Sequence, residues 1–302
     1  MLEKAKISNP LFKLLKKLNF ANLKDLRVVS NYVRDSKKKN KVFYDKKNNF
    51  YFLQKSVYTK NSKFDQLFKD NQKNKNFYLK YNKKKLKTKI IDDERRRFNN
   101  FKNIIKNKSV LDFGAGYGEF LKQFNRDNIA AVEKRDKCIN YLKKNKIKVF
   151  KDLSEINGKF DFITFFNSVD HLEFPDLILK KAKKLLNKNG RLIIEVPNSN
   201  NLLYLLNIKE YKDLSFCKKH LIIFSDKVLK KLLIYSGFKI EKLFYYQRYN
   251  LDNHLNWIIN KRPNGHNELK NYSNKKSKME YERLLIKKKF TDTIILIVKK
   301  NA

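Results

Sequence analysis

Ser109-Val-Leu-Asp112-Phe-Gly114-Ala-Gly116-Tyr-Gly118-Glu119-Phe120 is the stretch whose reading decides the fold. Ser109 to Phe113 is a short apolar run with the length of a buried strand, and Glu119 to Phe124 reads as the start of a helix. Between them, three of the chain's seven glycines fall within five residues. Glycine lets a backbone turn tightly and lets a ligand approach it without a Cβ in the way. A strand, a glycine loop and a helix in that order open a βαβ unit.

Outward from this stretch the alternation continues. Ile129 to Glu133, Ile147 to Phe150, Phe160 to Phe166 and Leu192 to Val196 read as strands. Asp136 to Asn145 and Leu177 to Leu186 read as helices, the second stopped by Asn187 to Gly190. Ser225 is a helix N-cap and Gly237 the matching stop, followed by an aromatic strand at Phe238 to Tyr246. Strands alternating with helices of this length predict an α/β fold, with a mostly parallel sheet covered by helices on both faces. A last strand at Thr291 to Val298 completes the sheet, and residues 247–290, which hold the only tryptophan, Trp257, form an insertion near the strand ends.

Residues 1–107 contain no glycine and run through Lys/Asn-rich segments punctuated by aromatics. Leu11 to Leu26 has apolar residues at helical spacing, Val42 to Leu53 reads as two short strands about the turn formers Asp45 to Asn49, and Ile90 to Lys106 reads as a charged helix. The expected organisation is a small, mainly helical N-terminal region (1–107), a cap or recognition element, and an α/β domain (108–302) carrying the insertion.

At 302 residues, with 41% hydrophobic and 14% aromatic side chains, the chain can bury a real core and is not disordered. No apolar stretch is long enough for a bilayer span, the N-terminus lacks a secretory apolar core, and two cysteines make no disulfide framework. The expected setting is therefore a reducing, cytoplasmic one, with Cys138 and Cys217 inert. The formal net charge is +41, but only 11 of the 71 basic residues are arginine. The lysines are spread along the whole length, as an AT-biased genome yields through its codons. The clusters Lys37 to Lys39, Lys83 to Lys85, Arg95 to Arg97 and Lys287 to Lys289 lie far apart. Such a surface favours anionic partners by long-range attraction without the clustering typical of nucleic-acid binders.

The glycine spacing lacks the Gly-x-Gly-x-x-Gly step of a dinucleotide fold. Asp112-x-Gly114-x-Gly116-x-Gly118 instead resembles motif I of the class I S-adenosylmethionine-dependent methyltransferases, and the resemblance runs to the end of the chain. It implies a Rossmann-like fold with an antiparallel last strand and S-adenosyl-L-methionine as cofactor, with the loop contacting the methionine part. It implies roles residue by residue. Glu133, 19 residues after Gly114, matches the acceptor of the ribose hydroxyls. Asp152 matches the polar residue near the adenine, and Phe160-Asp161 with Asn167-Ser-Val-Asp170-His171 matches the fourth strand and its loop, where relatives carry Glu-His. Gly190 to Asn198 matches the fifth strand, and His220-Leu-Ile-Ile-Phe224-Ser225 a segment of a bacterial subgroup acting in surface polysaccharide or quinone-type biosynthesis.

Methyl transfer asks mainly for alignment, plus a group to take the acceptor's proton where it has one. Imidazole has the right proton affinity, so His220 and His171 are the candidate catalytic residues. Asn198, His254 and Trp257 are candidates for the acceptor site, with His266 beside them in the insertion. Each has a bland reading: turn glycines, a solvated strand-end carboxylate, an acidic helix cap, or packing residues. No metal is expected. The leading expectation is methyl transfer to a small molecule or to a sugar on a nucleotide or lipid. A tRNA or rRNA methyltransferase and a non-catalytic S-adenosylmethionine-binding protein are the alternatives. Asn167-Ser-Val-Asp170 lacks the Pro-Pro-aromatic step typical of enzymes that methylate base amino groups. Oligomeric state is open.

Overall fold

The computed structural model describes residues 7–36, 39–56, 83–124 and 126–301. The N-terminal six residues and Lys37-Lys38 lie outside the described residues, as do the side chains of Lys83 to Lys85. The strands in chain order are β1 (Leu26–Ser30), β2 (Val42–Asp45), β3 (Phe50–Leu53), β4 (Val110–Phe113), β5 (Ile129–Val132), β6 (Lys148–Phe150), β7 (Phe160–Phe166), β8 (Leu186–Pro197), β9 (Ile222–Ile223), β10 (Phe238–Tyr246) and β11 (Thr293–Lys300). The helices are α1 (Leu11–Lys17), α2 (Lys83–Ile105), α3 (Asp136–Lys144), α4 (Pro175–Lys184), α5 (Leu202–Leu205), α6 (Lys209–Ser215), α7 (Asp226–Tyr235), α8 (Leu251–Ile259), α9 (Gly265–Glu268) and α10 (Lys275–Lys288).

The main sheet has seven strands in the order β10-β11-β8-β7-β4-β5-β6 and is mostly parallel, with an antiparallel pair. β4 pairs in parallel with β5 (Asp112 opposite Ala131) and with β7 (Asp112 opposite Thr164), and β5 pairs in parallel with β6. Every residue of β4 and of β5 is buried, which is why they read as unbroken apolar runs rather than as alternating ones. The expected α/β architecture is the observed one.

The chain divides into two compact units. One comprises residues 58–166, 177–193 and 298–302 and contains the glycine stretch, β4 to β7 and α2 to α3. Here two elements differ from expectation. The helix expected from Glu119 is a single 3-10 turn, Leu121–Gln123. Only ten residues join Gly118 to β5, and Asn125, Asp127 and Asn128 among them favour turns. The loop expected at Asn187 to Gly190 is instead part of β8. A Cβ on Gly190 would lie 2.9 Å from the Phe160 carbonyl oxygen, so glycine is what lets the strand run on past that backbone.

The other unit comprises residues 1–57, 167–176 and 194–297. It holds a second, four-stranded sheet in the order β1-β2-β3-β9, antiparallel throughout. Asp45 Oδ1 accepts from the Asn48 amide at 2.9 Å and Asn49 turns left-handed (φ 51°), closing the expected hairpin. β1 begins at Leu26, the last residue of the window expected to be helical. Asn19 and Ala21 adopt left-handed φ of 62° and 56°, which stops α1 after its second turn and frees Leu26–Ser30 to pair with β2. Among the described residues before α2, strand is as prominent as helix. α2 groups with the glycine stretch, and α1 to β3 with the other unit.

The insertion is three helices, α8 to α10. Trp257 is buried against Leu203 and Ile208 and meets Tyr211 edge-on at 5.4 Å. Gly265 opens α9 where a Cβ would lie 1.9 Å from the Asp252 carbonyl oxygen of α8. No helix among the described residues is long and apolar enough to cross a membrane. Gly265→Ala is expected to separate α8 from α9 and lower Tm by about 5 °C or more. Hydrogen exchange should localise the loss of protection to residues 250–270; unchanged protection there would show that the close approach is not needed.

Candidate active site

At the end of β4 the backbone turns through Gly114, Gly116 and Gly118, all with positive φ (78°, 58° and 69°). The amides of Gly114 and Ala115 both donate to the Val132 carbonyl, at 2.8 and 3.3 Å, so the loop folds onto the end of β5. Gly118 N–H then donates to the Ala115 carbonyl at 2.8 Å, closing the turn. A Cβ on Gly118 would come within 2.5 Å of Leu142 Cδ2 in α3. Both conformation and packing therefore select glycine.

Glu133 directly follows β5 and is buried, and its carboxylate points at the bend: Gly116 N–H donates to Glu133 Oε2 at 2.8 Å. Oε1 accepts from the amides of Lys134 and Arg135, both at 2.9 Å. The Arg135 guanidinium forks across both oxygens, Nε to Oε1 at 3.0 Å and Nη2 to Oε2 at 2.9 Å. Burial pulls the Glu133 carboxyl upward, but the Arg135 charge and these donors outweigh it and hold the group below the usual carboxylate range. Behind the loop Asp112 is buried and accepts from Thr164 Oγ1 at 2.7 Å. Burial dominates there and pushes the carboxyl up to about 7. Asp152 caps the short turn after β6: its Oδ1 accepts from Ser154 N and Oγ at 3.0 and 2.7 Å, and Lys181 stands 3.3 Å away. Burial raises that carboxyl, and the Ser154 and Lys181 donors lower it further than burial raises it.

Asn167 follows β7 with a left-handed φ of 48°, and its amide donates to the Glu195 carbonyl at 2.8 Å. Asp170, wholly buried, comes three residues later and gathers both catalytic candidates. His220 Nδ1 lies 3.0 Å and His171 Nε2 3.5 Å from Asp170 Oδ2, with the two rings edge to face at 5.0 Å. The Asp170 carbonyl also accepts from the Leu221 amide at 2.9 Å, which ties the two segments together. Burial raises the Asp170 carboxyl, but the two imidazoles hold it below its ordinary value. Burial lowers His220, yet Cys217 and Asp170 together carry it well above its ordinary value. Cys217, expected to be inert, is buried beside His220. Burial pushes its thiol up, and His220 with Arg34 overcomes that to bring it down to about 6. Three donors from Asp170, His171 and His220 lie within 4.8 Å of one another, a set that chemistry allows for a metal.

The three residues expected at an acceptor site have the contacts of an interior. Asn198 is buried, and its side-chain amide donates to the carbonyls of Lys289 and Thr291 at 3.3 and 2.8 Å. His254 is buried between Gln247 (3.1 Å) and the Tyr281 hydroxyl (2.7 Å), and burial lowers it to about 4, so it stays neutral. Trp257 packs in the apolar cluster described above. Their residue types suggest binding, and all three lie in the interior. Arg135 is the neighbour of Glu133 that pattern reading did not single out. Its only signal was an arginine two residues beyond the acidic strand end.

The model of a methyltransferase domain matches residues 66–243, more than half of the chain. The chain belongs to that family and is a class I S-adenosylmethionine-dependent methyltransferase, an enzyme whose cofactor is S-adenosyl-L-methionine. Among solved structures, the plantazolicin methyltransferase BamL, in complex with a triazolic desmethylPZN analogue and SAH, shares the fold at TM-score 0.50 and 14% identity, over 78% of this chain and 94% of that one. A methyltransferase from Archaeoglobus fulgidus is 19% identical, with TM-score 0.46, over 70% of this chain and 94% of that one. Magnesium protoporphyrin IX methyltransferase from Synechocystis is 13% identical, with TM-score 0.44, over 71% and 84%. A search of curated proteins finds no match. The loop fits this cofactor: a Cβ at Gly116 would sit 3.3 Å from Arg135 Nη2, so glycine keeps the bend open, and the carboxylate beside it is ionised.

Asp112 supplies a pH test. Its proton is held more tightly in the folded than in the unfolded chain, so its favourable contribution is whole below about pH 4 and is lost as pH rises through about 7. Asp112→Asn keeps the acceptor for Thr164 and should raise Tm by about 5 °C at pH 8, with the gain vanishing near pH 4. Thermal melts across that range check it; a pH-independent difference would count against a buried titrating group.

Proposed function

We propose that the enzyme methylates a hydroxyl of a small molecule, or of a sugar carried on a nucleotide or lipid, in surface polysaccharide biosynthesis. The observation that carries the hydroxyl reading is the Asp170–His220 pair. A hydroxyl must lose its proton as the methyl arrives, and an imidazole steadied by a buried carboxylate is built to receive one. The cofactor supplies an activated sulfonium methyl and leaves as a thioether. In this reading the methionine part lies on Gly114 to Gly118, Glu133 accepts the ribose hydroxyls, Asp152 serves the adenine, and Asp112 and Asn167 complete the cofactor-binding set. His220 takes the proton and His171 shares the Asp170 charge. The excess positive charge supports an acceptor with an anionic carrier, and two buried free cysteines suit a reducing cytoplasm.

The same charge favours RNA as the second reading. Incubation with labelled cofactor and fractionated extract decides between them. Label in nucleotide- or lipid-linked sugars supports the proposal, whereas label in RNA, captured on filters at physiological salt, replaces it.

The neutral imidazole is the form that accepts a proton. With His220 held well above its ordinary value, kcat/KM should rise with pH through the alkaline range. Asp170→Asn removes the facing charge and should move that rise to lower pH while reducing the maximal rate about a hundredfold. A flat profile from pH 6 to 10 would remove His220 from the proton transfer.

A further inference from the structure

We infer that Arg135 gates the cofactor pocket by competing with the cofactor's ribose hydroxyls for the carboxylate of Glu133. The inference rests on the proposed reading of Glu133 as the ribose acceptor and adds a residue that this reading does not contain.

An ionised carboxylate offers roughly four lone-pair positions. The two Glu133 oxygens already take five N–H donors: the amides of Gly116, Lys134 and Arg135, and Nε and Nη2 of Arg135. The three amides are set by the backbone at the ends of β4 and β5 and cannot withdraw. The two guanidinium donors sit on a side chain that rotates. Two neighbouring hydroxyls of a ribose would present the same pattern as this fork, two parallel donors to two oxygens of one carboxylate. Both cannot occupy it.

The position of Arg135 suits it to withdraw. Its carbonyl accepts from the Cys138 and Ile139 amides at 2.9 Å each, so the backbone is fixed at the start of α3. Its side chain is 29% exposed, against 3% for Glu133, and has solvent to turn into. Its Nη2 lies against Gly116, on the bend itself. Opening therefore needs only side-chain rotation, and the apparent affinity is the intrinsic affinity multiplied by the fraction of molecules with the guanidinium turned out.

Calorimetric titration of S-adenosylmethionine and S-adenosylhomocysteine into the full chain tests this. Arg135→Gln is expected to tighten both ligands alike, by about five- to tenfold. Arg135→Lys, which keeps the charge and loses the fork, should fall between. Glu133→Gln should weaken both by tenfold or more, and in the double variant the gain from Arg135→Gln should disappear. Adenosine should share that gain, and 2′,3′-dideoxyadenosine should not. If Glu133→Gln leaves affinity unchanged, the ribose reading of Glu133 fails and the gate fails with it. If Glu133→Gln weakens binding while Arg135→Gln and Arg135→Lys weaken it or leave it unchanged, the gate alone is overturned and Arg135 is a positioning residue for the carboxylate.

Discussion

The hydrogen bond from the Gly116 amide to the Glu133 carboxylate is the constraint on which the site depends. It joins the end of one parallel strand to the end of its neighbour. It can form only because the backbone at 114–118 takes left-handed turns that side-chain-bearing residues resist. The pairing of Asp112 with Ala131 in the β4–β5 register brings the two strand ends level, and the Val132 carbonyl pins the loop down. Once that is done, a charged carboxylate stands beside an open bend. The proposed cofactor contacts follow from placing a ligand against those two features.

What the sequence made legible were the features governed by local rules. Glycine at three alternate positions, an acidic strand end, a Ser225 N-cap that accepts from Val228 N and a turn at Asp45 to Asn49 each have a local cause, and each stands where it was expected. The failures share a different cause. The helix after Gly118 shrank because the connection to β5 is too short, which is a property of the sheet and not of the residues themselves. β8 ran through Asn187 to Gly190 because Gly190 allowed a close approach to Phe160, a partner 30 residues away in sequence. β1 emerged because two non-glycine residues accepted left-handed backbone that propensity disfavours.

The same division holds within the site. Asp170 and His171 are adjacent in sequence, but nothing local says that His220 will meet the same carboxylate oxygen; the contact spans 50 residues. His254, Trp257 and Asn198 have the chemistry of binding residues, and only their burial assigns them to the interior. Arg135 shows the reverse. An arginine beside a strand-end glutamate looks like surface charge until the fork across both oxygens is seen.

The lone indole of this chain has an optical use. Trp257 sits in an apolar cluster with Leu203 and Ile208, whereas the chain's 16 tyrosines are distributed along it. Selective excitation near 295 nm would therefore view one of the two compact units and remain blind to the other. Paired with tyrosine emission or circular dichroism, it would reveal, with no engineered label, whether the two melt as one cooperative block or in sequence.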